Sequence, residues 1–328
     1  MVPDSVPVSV PGSLVHPLES NPHESAYPIE NEHLERTRLE SSFRHSGWWR
    51  LRERIHTCLM LAGESPHTVQ RFAQCGSNAW ILRSQDNPDR YRLAAFHCKH
   101  RFCLACQREL RRVVAANLLD RLDGRSVRFI TLTVRHMKAD PSDERASLNR
   151  TIDHLYASFQ KLRRTAGWKA HVTGGVAFLE IKATAAGWHP HLHILVQGRY
   201  FPQKELSHLW FTVTGDSYVV DIRDVSSSDA VTYTVKYCTK INVGLTDYQL
   251  IDLICALRRR RTFTCFGCWT KWHLTTPVKT DEVWEFLYPL HEVIAAADRG
   301  ELWATRLLHQ LSFTPYMLPD GDFDTPPD

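Results

Sequence analysis

The sequence lacks any apolar run that approaches the roughly 20 residues of a membrane-spanning helix. Its first residues also lack the basic segment and apolar core that mark a secretory signal. We find neither a phosphate-binding glycine loop nor an internal repeat. We therefore expect a cytoplasmic protein without membrane contact, and we exclude P-loop enzymes and repeat proteins.

Net charge is also small. The 40 Lys and Arg residues exceed the 36 Asp and Glu residues by only +4, too little to indicate a nucleic-acid partner. The basic residues are nevertheless clustered, in three groups: Arg108, Arg111 and Arg112; Lys161, Arg163 and Arg164; and Arg258 to Arg261. Such clusters suit a polyanion, although a solvated helix face explains each cluster alone equally well.

The composition is that of a globular protein, with 43% hydrophobic and 23% charged residues in 328. Residues 1–45 are rich in Pro, Ser, Glu and His, and we expect a disordered tail. We expect a helical, metal-binding region over 46–125 and the main domain over 126–275. For residues 276–328 we predict a C-terminal extension and tail, with helices at 281–287 and 293–311.

The sequence contains nine cysteines, which is a high number for a chain of this size. The spacing of four of them is typical of a tetrahedral structural zinc site: Cys75, Cys98, Cys103 and Cys106. Buried free thiols are the alternative, and His97 or His100 is an alternative ligand to one thiol. Cys265 and Cys268 form a second C-x-x-C without a nearby partner pair, so we expect core cysteines there.

The segment WHPHLHILVQG at 188–198 predicts a strand with three alternating histidines. His189, His191 and His193 would point to one face, because side chains at i, i+2 and i+4 of a strand do so. Two imidazoles on one face supply half of a metal coordination shell, whereas a solvated polar face is the simpler interpretation. Glu180 lies inside the apolar strand VAFLEI just before a predicted hairpin, which would bring it beside His191 and His193.

A helix is predicted over 230–241, AVTYTVKYCTKI, after a possible N-cap at Ser226 to Asp229. Four of its polar residues fall within an arc of about 100°: Tyr233, Lys236, Tyr237 and Lys240. Taken alone, this pattern is typical of a surface helix with incidental tyrosines.

Taken together, these segments resemble the rolling-circle plasmid replication initiators of the HUH endonuclease superfamily. The resemblance covers about residues 70–270 and is carried by six segments in order: QCGSNAW (74–80), CKHRFCLAC (98–106), FITLTV (129–134), GGVAFLE (174–180), HPHLHIL (189–195) and YTVKYCTK (233–240). It implies an α+β fold, a palm-like antiparallel sheet with helices on one face, preceded by a small zinc-binding region.

The resemblance also implies a chemistry. His191 and His193 would bind a divalent cation, Mg²⁺ or Mn²⁺, with Glu180 or His189 as a third ligand. Tyr237 matches the nucleophile that nicks one strand of the plasmid origin and forms a 5′-phosphotyrosine, and Lys236 and Lys240 match nearby basic positions.

The implied partners are single-stranded or hairpin origin DNA and a host helicase and polymerase. Plasmid initiators often carry a glutamate four residues before the nucleophile, where this chain has Tyr233. A Tyr-x-x-x-Tyr pair instead resembles certain phage initiators and two-tyrosine single-strand transposases. A zinc-containing DNA-binding protein without catalysis is the third possibility, but it leaves HPHLH and Tyr237 unexplained.

Overall fold

The computed structural model describes residues 28–123, 125, 127–135, 144–184, 187–225, 244–277 and 281–312. The helices are α1 Pro28–Arg44, α2 Trp49–Leu61, α3 Pro66–Ala73, α4 Leu104–Leu122, α5 Glu144–Arg164, α6 Ala166–His171, α7 Gln203–Thr214, α8 Asp247–Leu257, α9 Leu290–Asp298 and α10 Leu302–Ser312. The strands are β1 Trp80–Ser84, β2 Tyr91–Ala94, β3 Val127–Thr133, β4 Val172–Thr184, β5 Gly187–Gly198, β6 Val220–Val225, β7 Phe263–Gly267 and β8 Trp284–Pro289.

The larger of two sheets has five antiparallel strands in the order β6-β3-β5-β4-β7, so the histidine strand β5 lies at its centre. Strands β4 and β5 form a long hairpin in which Glu180 is the partner of His191. At its turn Gly187 has a φ of 106°, a left-handed conformation that favours glycine. The expected α+β class with an antiparallel sheet is confirmed.

The two faces of this sheet are covered differently. Helices α5, α6, α7 and α8 pack on one face through a continuous apolar core, which includes Ile130, Leu132, Leu192 and Ile194. On the opposite face, α4 covers only the end of the sheet near Val176 and Leu195. The other end of that face carries the histidines, and α4 does not cover it.

The smaller sheet has the order β2-β1-β8 and corrects two sequence predictions. Residues 284–289 form strand β8 instead of the helix predicted at 281–287, because they pair with β1, with Phe286 opposite Leu82. The single helix predicted at 293–311 is two helices, α9 and α10, and Gly300 between them has a φ of 86°. These helices pack on one face of the small sheet, with Ile81 and Leu290 in the shared core.

Helix α1 also corrects an expectation, because residues 28–44 are helical and the disordered tail cannot extend to residue 45. Two of its polar side chains are buried and hydrogen-bonded. The carboxylate of Glu40 accepts from the backbone N–H of Ala79 at 3.2 Å, and the hydroxyl of Ser41 donates to the carbonyl of Cys75 at 2.7 Å. The helix is thus tied to the rest of the chain by polar contacts.

The predicted helix at 230–241, with Tyr233, Lys236, Tyr237 and Lys240, lies outside the described residues. Residues 1–27 also lie outside them. Within the described part of the chain, no helix has the length and apolarity needed to cross a bilayer.

Candidate functional site

Four cysteine sulfurs converge in the small N-terminal region. Cys75, Cys98, Cys103 and Cys106 are all buried, and their Sγ atoms lie within 4.8 Å of one another. The Sγ of Cys75 is 3.5 Å from that of Cys106 and 3.7 Å from that of Cys103. Thiolates bound tetrahedrally at about 2.3 Å from zinc are separated by about 3.8 Å, so the group fits a structural zinc site.

The local chain explains this convergence. Cys75 follows the end of α3, Cys98 follows β2, and Cys103 and Cys106 lie at the start of α4. The backbone N–H of Gly76 donates to the carbonyl of Phe96 at 2.8 Å, which holds the first segment beside the second. Three separate segments therefore meet at one point.

The residues around the cysteines indicate which groups would bind zinc. Burial lowers the pKa of His100 to about 4, and its Nδ1 accepts the backbone N–H of Phe102 at 3.3 Å. Neither His97 nor His100 belongs to the group of close ligand atoms in the described residues. The Nε2 of His45 instead lies 3.4 Å from the Sγ of Cys103. The geometry thus favours four thiols over a mixed set.

The second candidate site lies on β5 and β4. The rings of His189 and His191 have centroids 4.1 Å apart, and those of His191 and His193 are 6.1 Å apart, as expected for residues on one strand face. The buried carboxylate of Glu180 accepts a hydrogen bond from the Nε2 of His193 at 2.8 Å. The expected approach of Glu180 to the histidines is therefore observed, and its bond is to His193 although its cross-strand partner is His191.

Strand β3 supplies polar partners that were not predicted from the sequence. The Nδ1 of His191 is 3.1 Å from the hydroxyl of Thr133, and the Nδ1 of His193 is 3.3 Å from that of Thr131. The β3–β5 register pairs the same residues, Thr133 with His191 and Thr131 with His193. A hydroxyl both donates and accepts, so each threonine can serve either imidazole tautomer.

The donor set on this face fits a divalent cation. The Nε2 of His191 is buried and has no hydrogen-bond partner among the described residues. Burial, followed by the charge of His189, lowers the pKa of His191 to about 3, so this imidazole is neutral at neutral pH, the form that binds metal. Two ligands at right angles about 2.1 Å from an octahedral ion are about 3 Å apart, close to the Glu180–His193 separation.

Residues 90–287 match the family described as Replication protein. The chain belongs to this family. It is thus a plasmid replication initiator of the Rep type, as the motifs indicated. The matched range contains Glu180, all three histidines and the segment from Cys98 to Cys106, but not Cys75.

A curated relative supports the same assignment. The chain is similar to "Protein rep" of Streptococcus pneumoniae serotype 2, with 30% identity over 222 residues. The aligned segment covers 59% of this chain and 67% of that Rep protein. No solved structure matches the chain.

One further residue at the histidine site was not predicted from the sequence. The ammonium group of Lys182 lies 3.4 Å from the carboxylate of Glu180, so a basic side chain borders the histidine site.

The expectation of core cysteines at Cys265 and Cys268 holds only in part. Cys265 is half-buried, and burial raises its pKa to about 11, whereas Cys268 is exposed. In the FITLTV motif, the alternation of Thr131 and Thr133 was the sequence signal for the threonine partners.

Proposed function

We propose that this initiator is a metal-dependent endonuclease that nicks one strand of its plasmid origin and later rejoins it. The observation that carries the proposal is the pair His191 and His193, each contacted at Nδ1 by a threonine and flanked by the buried carboxylate of Glu180. A strand face with oriented imidazoles and a carboxylate, which α4 does not cover, suits a catalytic cation better than a structural one.

In this proposal His191 would bind Mg²⁺ or Mn²⁺ through its Nε2, and His193 would bind it through Nε2 in place of the hydrogen bond to Glu180. Glu180 is the third ligand, because its carboxylate is buried against His193. His189 is the alternative, since its ring lies against that of His191. When bound, the cation polarises the scissile phosphate and offsets its charge.

Tyr237 is the proposed nucleophile. Its phenolic oxygen forms a bond to phosphorus while the bond from phosphorus to the 3′-oxygen breaks, and the phenolic proton ends on that leaving oxygen. An unperturbed tyrosine has a pKa of about 10, so the phenol needs help to ionise. Lys236 and Lys240 would favour the phenolate and balance phosphate charge. Since one phosphodiester replaces another, the 3′-hydroxyl can reverse the step without a nucleotide.

The cysteine group has a different proposed role. Cys75, Cys98, Cys103 and Cys106 would hold one structural zinc ion. The partner is origin DNA as a single strand or hairpin, with a host helicase and polymerase acting on the nicked product in the cytoplasm.

A second candidate function is that of a two-tyrosine strand transferase, as in single-strand transposases. It rests on Tyr233, which precedes Tyr237 by one helical turn of the predicted helix. Both phenols would then attack in successive steps. A DNA-binding protein without catalysis is less favoured, because it gives no role to the histidine site.

The test is incubation of the protein with an end-labelled single-stranded origin and Mn²⁺. We expect cleavage and a covalent protein–DNA adduct that survives denaturation. Cleavage without any adduct would exclude the tyrosine mechanism, and DNA binding without cleavage would favour the non-catalytic alternative.

A further inference from the structure

The four consecutive arginines Arg258 to Arg261 follow α8 and lead directly into β7. Because β7 is the edge strand next to β4, the chain that precedes it runs beside the sheet. The four side chains do not have the same surroundings.

Two of these arginines are anchored to carboxylates on other elements. The guanidinium of Arg258 pairs with Glu64 at 2.9 Å, and that of Arg260 pairs with both carboxylate oxygens of Asp153 on α5. Arg258 also donates to the carbonyl of Ala62 at 2.6 Å. These contacts are specific and serve to hold the loop.

The backbone of the same loop is held as well. The Arg101 side chain donates to the carbonyl of Arg260 at 2.8 Å, and the Tyr156 hydroxyl donates to that of Arg261 at 2.7 Å. Arg101 lies between Cys98 and Cys103, so the cysteine region also supports the loop.

The other two arginines have a different environment. Arg259 and Arg261 are exposed, and neither forms an ion pair within the described part of the chain. Arg259 has a φ of 59°, a left-handed conformation uncommon outside glycine, which the anchored neighbours on both sides maintain. Two guanidinium groups are thus displayed from a loop that is fixed at several points.

The position of this loop relates it to the sheet edge beside Glu180. The backbone N–H of Leu179 donates to the carbonyl of Thr262 at 2.7 Å. Leu179 precedes Glu180, and Thr262 follows Arg261, so the loop leaves the sheet edge next to Glu180. Lys182, whose ammonium contacts Glu180, adds a further positive group at the same place.

We propose that Arg259 and Arg261 form a phosphate-binding site that holds the sugar–phosphate backbone of the DNA strand beside the histidine site. The inference rests on the proposed function, since it assigns these residues to the same DNA. Arginine suits this role because its planar guanidinium binds phosphate oxygens in a bidentate manner. Exposed guanidinium groups without carboxylate partners also lose no existing ion pair when they bind phosphate.

The test is the salt dependence of DNA binding, measured by fluorescence anisotropy with a labelled 20-nucleotide oligothymidine in buffer without added divalent metal. Each phosphate contact to a single strand contributes about 0.7 to the slope of log Kobs against log salt. We expect Arg259→Gln/Arg261→Gln to reduce the slope by about 1.4 and each single variant by about 0.7. From 50 to 200 mM salt, the wild type would lose about sevenfold more affinity than the double variant.

The matched control is Arg38→Gln/Arg306→Gln, which removes the same charge from exposed positions on α1 and α10. Its slope should equal that of the wild type. An unchanged slope in Arg259→Gln/Arg261→Gln would overturn the inference, as would an equal reduction in the control. The assay contains no added divalent metal and requires no cleavage, so a protein that fails to nick origin DNA would still give a decisive result here.

Discussion

The cysteine group and the histidine site differ in how completely the chain builds them. Four sulfurs from three segments lie within 4.8 Å of one another and are buried. The histidines and Glu180 come from only two adjacent strands, and they do not form such a compact group in the described residues. Among the described residues, protein groups surround the first site, whereas the second site has fewer ligand groups in close contact.

This difference matches the two uses that proteins make of metals. A structural ion takes all of its ligands from the protein, whereas a catalytic ion keeps positions for substrate. The ligand types agree, since thiolates suit zinc and imidazole with carboxylate suits a catalytic divalent cation. We therefore expect changes at the two sites to have separable effects, on activity at one and on stability at the other.

The largest expected effect is on cleavage at the histidine site. His191→Ala and His193→Ala each remove one proposed ligand, and we expect metal-dependent nicking to fall at least about 100-fold, because the cation supplies several kcal/mol to the transition state. The rate is measured with labelled origin DNA in chelator-treated buffer replenished with Mn²⁺.

His208→Ala on the exposed surface of α7 is the control and should cleave normally. Both histidine variants should retain about one zinc per chain. Normal cleavage by both would show that the metal assignment is wrong, and zinc lost with the histidines would merge the two sites into one.

At the cysteine group we expect an effect on folding. Cys103→Ser should abolish zinc binding and lower the free energy of unfolding by more than about 3 kcal/mol, because binding of structural zinc contributes directly to folding. Metal analysis and thermal denaturation measure the two quantities. Cys265→Ser, outside the group, should keep its zinc. A Cys103→Ser protein with full zinc content and stability would contradict the structural role.

A smaller effect is expected from the threonines that contact the histidines. Thr133→Val keeps the side-chain shape but removes the hydroxyl beside the Nδ1 of His191, and we expect Mn²⁺ affinity to fall about 10- to 100-fold. Calorimetric titration with Mn²⁺ measures this without cleavage. Thr133→Ser should restore most of the affinity, and Thr264→Val on β7 should not change it. If valine and serine behave alike at position 133, the hydroxyl has no orienting role.

The smallest expected effect on the first step is that of Tyr233→Phe. We expect this variant to nick once at a near-normal rate but to fail in strand transfer to a second origin strand. The measurement is single-turnover nicking followed by a chase with that strand. Normal joining would exclude a two-tyrosine cycle, and a modest loss would indicate base stacking, worth roughly 1–3 kcal/mol.

The sequence predicted the structure well where the two-residue repeat of a strand decides which side chains share a face. Alternation in HPHLHIL placed three histidines on one strand face, and a short hairpin was enough to bring Glu180 close to His193. The spacing named the four thiols that the structure brings together, but the absence of His97 and His100 from that group depends on where α3, β2 and α4 meet.

Other features depend on contacts that are distant in sequence. The roles of Thr131 and Thr133 required the β3–β5 register. Strand β8 was mistaken for a helix because its partner β1 lies about 200 positions earlier in the chain. The polar sequence of α1 suggested disorder, since its buried hydrogen bonds to residues such as Cys75 cannot be read from composition.

The proposed mechanism is covalent catalysis by Tyr237 with a cation bound at the histidine site. The most direct test is to trap the adduct with single-stranded origin DNA and Mn²⁺, digest the protein, and locate the nucleotide-bearing peptide by mass spectrometry. We expect the modification on Tyr237, and none in Tyr237→Phe or in wild-type protein with EDTA, while DNA binding by Tyr237→Phe stays near normal. An adduct that persists in Tyr237→Phe, or cleavage that leaves a free 5′-phosphate and no modified peptide, would contradict the account.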